Sequence, residues 1–256
     1  MLNLGRIWRI GATGFCFFVF TGGALCLSCF FLPPLRLFVR DPVKLGRKTR
    51  LFVRLFFRFM SWLIAFTGCM RLRIKGVEKL LEARGVLVFA NHPTLIDVVV
   101  LMGLIPEANC VVKASLFRSL AMGPTLRSAG YLENAESDRL VEGCRRSMEA
   151  GQPLIIFPEG TRSHDGVIAS PKAGAGLLAC KSGVPVVPIH IRGARDVLPR
   201  GANFPVGSAR IRVRFGKAMQ PGEYDPGADH RDRSIEASRR ILERIKSLPD
   251  CAEPGL

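Results

Sequence analysis

Apolar residues fall along this chain in three textures. From Gly11 to Leu32 they run without a charged residue, with Phe15, Phe17, Phe18, Phe20, Phe30 and Phe31 among them. That length is enough for a helix to cross the hydrocarbon core of a bilayer. From Leu51 to Met70 they recur as Phe52, Leu55, Phe56, Phe59, Trp62, Leu63, Ile64 and Phe66, interrupted by Arg54 and Arg58 one turn apart. This pattern predicts a helix lying in a membrane interface, or a re-entrant partner of the first, with a core helix as the alternative. From Arg71 onward the runs shorten to strand length at Val86–Ala90, Asn109–Val112, Leu154–Phe157, Pro185–Ile191 and Ile211–Phe215. Helical spacing separates several of them, at Val98–Leu104, Leu116–Ser128, Arg139–Ala150 and Ala173–Lys181. Alternation of this kind predicts an α/β fold: a largely parallel or mixed sheet flanked by helices. A last amphipathic helix, Asp232 to Lys246, gathers Ile235, Ile241, Leu242 and Ile245 on one face and stops before Pro249. The breaker-rich segments Pro199–Ser208 and Pro221–Ala228 read as surface loops. The expected organisation is an N-terminal membrane-anchoring unit with a basic connector over residues 1–70 and an α/β domain over 71–256.

Charge adds direction to that picture. The 256 residues carry 37 Lys and Arg against 21 Asp and Glu, a net charge of +16, yet 48% are hydrophobic. A basic chain this apolar points to an anionic membrane surface before nucleic acid, because its cations cluster beside apolar helices instead of aromatic-interleaved strands. Arg36, Arg40, Lys44, Arg47, Lys48 and Arg50, with only Asp41 among them, outnumber Arg6 and Arg9 ahead of the apolar run. The positive-inside rule then places the α/β domain on the cytoplasmic side of the inner membrane. Arg6 and Arg9 also resemble the start of a signal peptide, but the apolar residues continue past any credible cleavage site, which favours an uncleaved anchor. The eight cysteines are scattered, so neither a disulfide framework nor a metal site is expected.

Two polar constellations stand at predicted strand ends, where ligands gather in α/β sheets. Asn91-His92-Pro93-Thr94-Leu95-Ile96-Asp97 follows the first short strand. An imidazole there can take a proton from an alcohol, with a carboxylate in the next helix fixing its tautomer. The same letters also suit a capping box, Thr94 with Asp97, and a turn histidine. Phe157-Pro158-Glu159-Gly160-Thr161-Arg162-Ser163 closes another strand and offers a guanidinium fork suited to phosphate. His164 beside it, His190 within a strand and His230 near a loop complete the histidines.

Together the two blocks resemble those of the glycerophospholipid acyltransferase family, which includes the 1-acylglycerol-3-phosphate acyltransferases. Val184-Pro185-Val186-Val187-Pro188-Ile189 is similar to a further apolar-Pro block of that family, and Lys113 with Leu116 to its Lys-x-x-Leu segment. The resemblance covers roughly Gly76 to Gly216. It implies transfer of a fatty acyl group from an acyl thioester, on acyl-carrier protein or acyl-CoA, to the hydroxyl of a lysophospholipid. It assigns His92 as general base and Asp97 as its support. Asn91, Lys113, Glu159, Gly160, Thr161 and Arg162 become the acceptor-binding residues, and no metal or cofactor is implied. The family places an arginine after a glycine and short strand, where this chain has Gly130-Tyr131-Leu132-Glu133-Asn134-Ala135-Glu136-Ser137-Asp138-Arg139. Arg139 is the substitute available from the following helix. The altered stretch keeps open a different acceptor, such as a lyso-aminolipid. A non-catalytic protein that only binds anionic membrane is the remote alternative.

Overall fold

A computed structural model describes residues 4–81, 85–134, 138–160, 172–197, 209–228 and 231–249. The N-terminal apolar run is one long helical rod. It comprises α1 (Leu4–Cys26), a π turn (Leu27–Phe31) and α2 (Leu32–Phe38). Pro33 and Pro34 explain the π turn. They lack N–H groups and their rings crowd the carbonyls one turn back, and the widened turn relieves this, with the Leu32 N–H bonding to the Leu27 carbonyl. Among the described residues, Ile7–Phe38 is the one helix long and apolar enough to cross a membrane.

The basic connector is mostly helix. After a short break, α3 (Pro42–Phe66) starts on Asp41, whose carboxylate accepts from the N–H groups of Val43 and Lys44. Its two sides meet different surroundings. Val53, Met60 and Leu63 are buried, whereas Leu51, Phe52, Leu55, Phe59, Trp62 and Phe66 are exposed. The core-helix alternative holds for one face, which packs on the α/β domain; the other face is apolar and open. Phe20 stacks over Phe57 and Phe31 leans on Phe52, joining α1 and the π turn to α3.

The domain is built on a seven-stranded sheet in the order β1-β7-β6-β2-β5-β3-β4. The strands are β1 (Met70–Lys75), β2 (Leu87–Ala90), β3 (Asn109–Lys113), β4 (Leu132–Asn134), β5 (Leu154–Ile156), β6 (Val186–Arg192) and β7 (Ala209–Phe215). All neighbours are parallel except β6 and β7. The connecting helices are α4 (Glu78–Leu81), α5 (Ile96–Leu104), α6 (Ala114–Phe117), α7 (Gly123–Ala129), α8 (Asp138–Glu149), α9 (Ala173–Ser182), α10 (Ala194–Val197), α11 (Pro221–Tyr224) and α12 (Arg233–Ser247). Period-two alternation decides which face each strand residue joins. Val88, Ala90, Val187, Ile189, Ile211 and Val213 point to the layer containing α3, α5 and α7. Leu87, Phe89, Leu154, Ile156 and Val186 point to the layer of α8, α9 and α12.

Three expectations change. The helix expected over Leu116–Ser128 is two, α6 and α7, because Pro124 can start a helix but not continue one, and Gly123 sits where a Cβ would lie 2.3 Å from the Phe117 carbonyl. Pro221–Ala228 is not purely a surface loop: α11 carries Tyr224 fully buried, its hydroxyl donating to the carbonyls of Val184 and Ala179. Ile235 lies off the buried face of α12 that Ile241, Leu242 and Ile245 form. Pro199–Ser208 lies outside the described residues.

Two contacts tie α3 to the domain. Gly103 of α5 lets the helix backbones meet; a Cβ there would stand 3.1 Å from the Arg58 nitrogen. Buried Arg50 donates to the Ala129 carbonyl at 2.7 Å and to Glu107 at 3.3 Å.

Candidate active site

The parallel strands β2, β5, β3 and β6 end at one edge of the sheet, and both polar constellations fall there. Asn91 leaves β2 and is buried. Its side-chain amide donates to the Ile191 carbonyl at 2.8 Å and accepts from the Ile191 N–H at 2.7 Å, clipping the end of β2 to β6. The next residue, His92, presents its Nδ1 to Asp97 Oδ2 at 3.1 Å. Its backbone N–H donates to Glu159 Oε1 at 2.8 Å, joining the β2 end to the β5 end. The ring stacks on Phe157 with centroids 4.2 Å apart. His92 keeps 14% of its side chain exposed, while Asp97 has none.

Asp97 serves two purposes at once. Its Oδ2 also accepts from the Thr94 N–H at 2.6 Å, and the Thr94 hydroxyl donates to Oδ1 at 3.1 Å while accepting from the Ile96 N–H. The capping arrangement and the imidazole support, which the sequence offers as alternatives, coexist in one carboxylate. Burial pushes the Asp97 carboxyl above its usual range, and the bonds from His92 and Thr94 pull it back part of the way. A proton on Nδ1 directed to Asp97 would leave Nε2 as the basic nitrogen of the imidazole.

The residues expected to bind an acceptor differ in their surroundings. Glu159 is buried at 2% exposure, and Gly160 adopts φ +65°, a left-handed conformation that suits glycine. Thr161, Arg162 and His164 lie outside the described residues, as does His230. Lys113, at the end of β3, is exposed and roughly 10 Å from the β2 line, since β5 intervenes. Arg139 is exposed in the first turn of α8, next to the outermost strand, β4. His190 is a strand histidine, with Arg192 Nε 3.4 Å from its Nε2.

Two contacts here leave no mark in the sequence. Phe157 reads there only as a strand end, and nothing in one sequence reveals that it lies under the imidazole. Lys172 belongs to no motif, yet its side chain crosses Gly160, with Nζ 3.3 Å from where a Cβ would be. Among the described residues no group of three or more His, Cys, Asp or Glu is placed to hold a metal ion.

Residues 71–192 match the family model described as Acyltransferase. A chloroplastic 1-acyl-sn-glycerol-3-phosphate acyltransferase of Brassica napus is 29% identical over 175 residues, covering 66% of this chain and 51% of that one. The human 1-acyl-sn-glycerol-3-phosphate acyltransferase alpha is 27% identical over 166 residues, covering 61% and 58%. This chain spans about half the length of the curated relatives it matches. The crystal structure of the 1-acyl-sn-glycerophosphate (LPA) acyltransferase PlsC from Thermotoga maritima superposes with a TM-score of 0.74 at 21% identity, over 96% of this chain and 99% of that one, and shares its fold. Over residues 71–192, this chain is therefore similar to the acyltransferase family.

Proposed function

We propose that the protein transfers a fatty acyl group from an acyl thioester to the free hydroxyl of 1-acylglycerol-3-phosphate at a membrane surface. One observation carries the reading: a nearly buried imidazole whose Nδ1 is fixed by a fully buried carboxylate at 3.1 Å. In this reading Nε2 of His92 takes the hydroxyl proton as the oxygen attacks the thioester carbonyl. The tetrahedral intermediate collapses, the C–S bond breaks, and the departing thiolate takes the proton back from the imidazolium. No covalent enzyme intermediate is required, because holding both substrates together supplies much of the rate.

Asn91, bonded on both sides of its amide to Ile191, positions the base in this scheme. Glu159 holds the backbone of His92 in place. Lys113, Lys172, Arg139 and, beyond Gly160, Arg162 supply the cations for an acceptor phosphate, and Thr161 adds a hydroxyl donor. The exposed aromatic faces of α1 and α3 support membrane seating, and the basic residues after α1 support the cytoplasmic side of the inner membrane. Acyl-carrier protein and acyl-CoA are the donor classes.

A second acceptor class rests on β4. Glu133 is exposed there and lies beside Val112, placing negative charge one residue from the Lys113 register. A lyso-aminolipid, carrying a cation, would suit that neighbourhood. The test is an assay of the purified full chain in vesicles, offering lysophosphatidate and lyso-ornithine lipid separately. Acylation of lysophosphatidate, lost in His92→Ala, is expected. Acylation of the aminolipid alone would replace the acceptor, and acylation of neither would remove the proposal.

A further inference from the structure

The C-terminal helix reaches the acceptor side of the site through one hydroxyl. Ser238 lies in the middle of α12, beyond the residues 71–192 that match the family model, and is fully buried. Its Oγ accepts from the Gly176 N–H at 2.7 Å and donates to the Lys172 carbonyl at 2.9 Å. Those two backbone groups are four residues apart, the pair that a turn of α-helix joins directly. The hydroxyl of one helix thus sits across the opening turn of another, α9. For α12 itself a serine brings no gain, since alanine is the better helix former and a helical hydroxyl competes with the backbone. Gly176 makes the approach possible: a Cβ there would stand 1.9 Å from the Ser234 carbonyl oxygen and 2.6 Å from the Ser238 Oγ.

Lys172 is the residue this hydroxyl holds, and its local setting gives no reason for a lysine. It occupies the N-cap of α9 without a side-chain cap bond, at the positive end of a helix, where a cation is disfavoured. Its backbone is fixed on both sides. The N–H donates to the Pro158 carbonyl at 3.0 Å, and the carbonyl accepts from Ser238. From that anchored start the stem runs over Gly160, with Cδ 3.0 Å and Nζ 3.3 Å from where a Cβ would be. Gly160 follows Glu159, whose carboxylate holds the His92 N–H. Contacts therefore lead without a break from α12 to the base, through Ser238, Lys172, Gly160, Glu159 and His92.

Resting on the acyl-transfer reading above, we propose that Ser238 is a positioning residue for the acceptor phosphate: it anchors the Lys172 backbone so that the ammonium stays over Gly160, beside the base. A lysine stem has several freely turning bonds, and fixing where it starts reduces the ordering that binding must complete. Serine at 238 and lysine at 172 each run against local helix preference, which is expected where a residue serves a site. A hydroxyl that only joined α12 to α9 would stabilise the fold and leave acceptor binding untouched.

The experiment uses the full chain in zwitterionic vesicles, with lysophosphatidate as acceptor and palmitoyl-CoA as donor. Ser238→Ala removes both bonds without adding volume; Ser238→Cys, close to serine in size and a weak donor, takes its place if the alanine variant fails to fold. The expected result is a KM for lysophosphatidate raised about fivefold, with kcat and the donor KM within about twofold. In a Lys172→Ala background the same substitution should raise the acceptor KM no further, because both changes act through one ammonium. A lower melting temperature with unchanged KM, an effect that persists in full on Lys172→Ala, or equal rises for acceptor and donor would each overturn the proposal. Binding of lysophosphatidate and of monoacylglycerol, which lacks the phosphate, is measured in parallel on the His92→Ala chain. There Ser238→Ala should weaken lysophosphatidate alone, and equal weakening or none would overturn the proposal. That measurement needs no turnover, so failure of the Ser238 role and failure of the acyl-transfer reading remain distinct.

Discussion

The two halves of the site are built to different standards. On the base side, every polar group that was singled out has a named partner: Asn91 with Ile191, His92 with Asp97 and Glu159, and Asp97 with Thr94. On the acceptor side, Lys113, Arg139 and Lys172 are exposed cations on separate elements. Pairing inside the fold fixes a geometry, whereas an exposed cation on a flexible stem serves as an adjustable point charge. On the proposed reading, the difference teaches that proton transfer belongs to the folded core and headgroup recognition to its rim.

The largest test of that contrast is His92→Ala. Acyl transfer should fall about a thousandfold, the scale of a positioned general base, while thermal unfolding stays within a few degrees because the ring is not deep core. Retained turnover would place the base elsewhere. Next comes Asn91→Ala, which strips both bonds from the Ile191 backbone and should cost about 1–3 kcal/mol of stability. If the clip positions the base, kcat drops more than acceptor KM rises. A change in KM alone would move Asn91 to the acceptor side. Smaller again, Lys113→Ala and Lys172→Ala should each raise the KM for a phosphate-bearing acceptor several-fold at unchanged kcat, as expected of a charge-assisted contact that binds but does not react. Loss of kcat in either would merge the halves.

The sharpest of the small effects concerns pH. Because burial holds the Asp97 carboxyl above its usual range, the folded chain binds more proton than the unfolded chain across that window. The contribution of Asp97 to stability therefore declines as pH rises from about 4 toward neutrality. Asp97→Asn titrates nothing, so its melting temperature relative to the unmodified chain should climb over the same range. A difference independent of pH would show that the carboxyl is not displaced.

Much of this was legible in the sequence, and for a physical reason. The core strands β2, β5 and β6 are short apolar runs bounded by breakers, and the chemistry follows them directly. The strand β1 does not stand out in the sequence: Met70, Leu72 and Ile74 alternate, but the intervening Arg71, Arg73 and Lys75 hide the period behind charge. The break between α6 and α7 depends on Gly123 meeting a carbonyl six residues back, a contact visible only in three dimensions. Phe157 under the imidazole and Lys172 over Gly160 belong to the same class. They join residues 65 and 12 positions apart in the chain by register and loop geometry, which no local pattern encodes. The resemblance to acyltransferases covered His92 and Asp97 as a pair but could not show that the carboxylate also starts a helix.

That shared carboxylate restricts what residue 97 can become. A glutamate carries one methylene too many to reach the Thr94 amide and the imidazole from the same backbone position. An asparagine can set its one oxygen where Oδ2 sits, facing both the amide and the ring, but it brings no negative charge to steady an imidazolium. A serine or threonine could begin the helix and leave the imidazole unsupported. Only aspartate answers both demands, so any drift at this position that keeps the turn folded still disarms the ring.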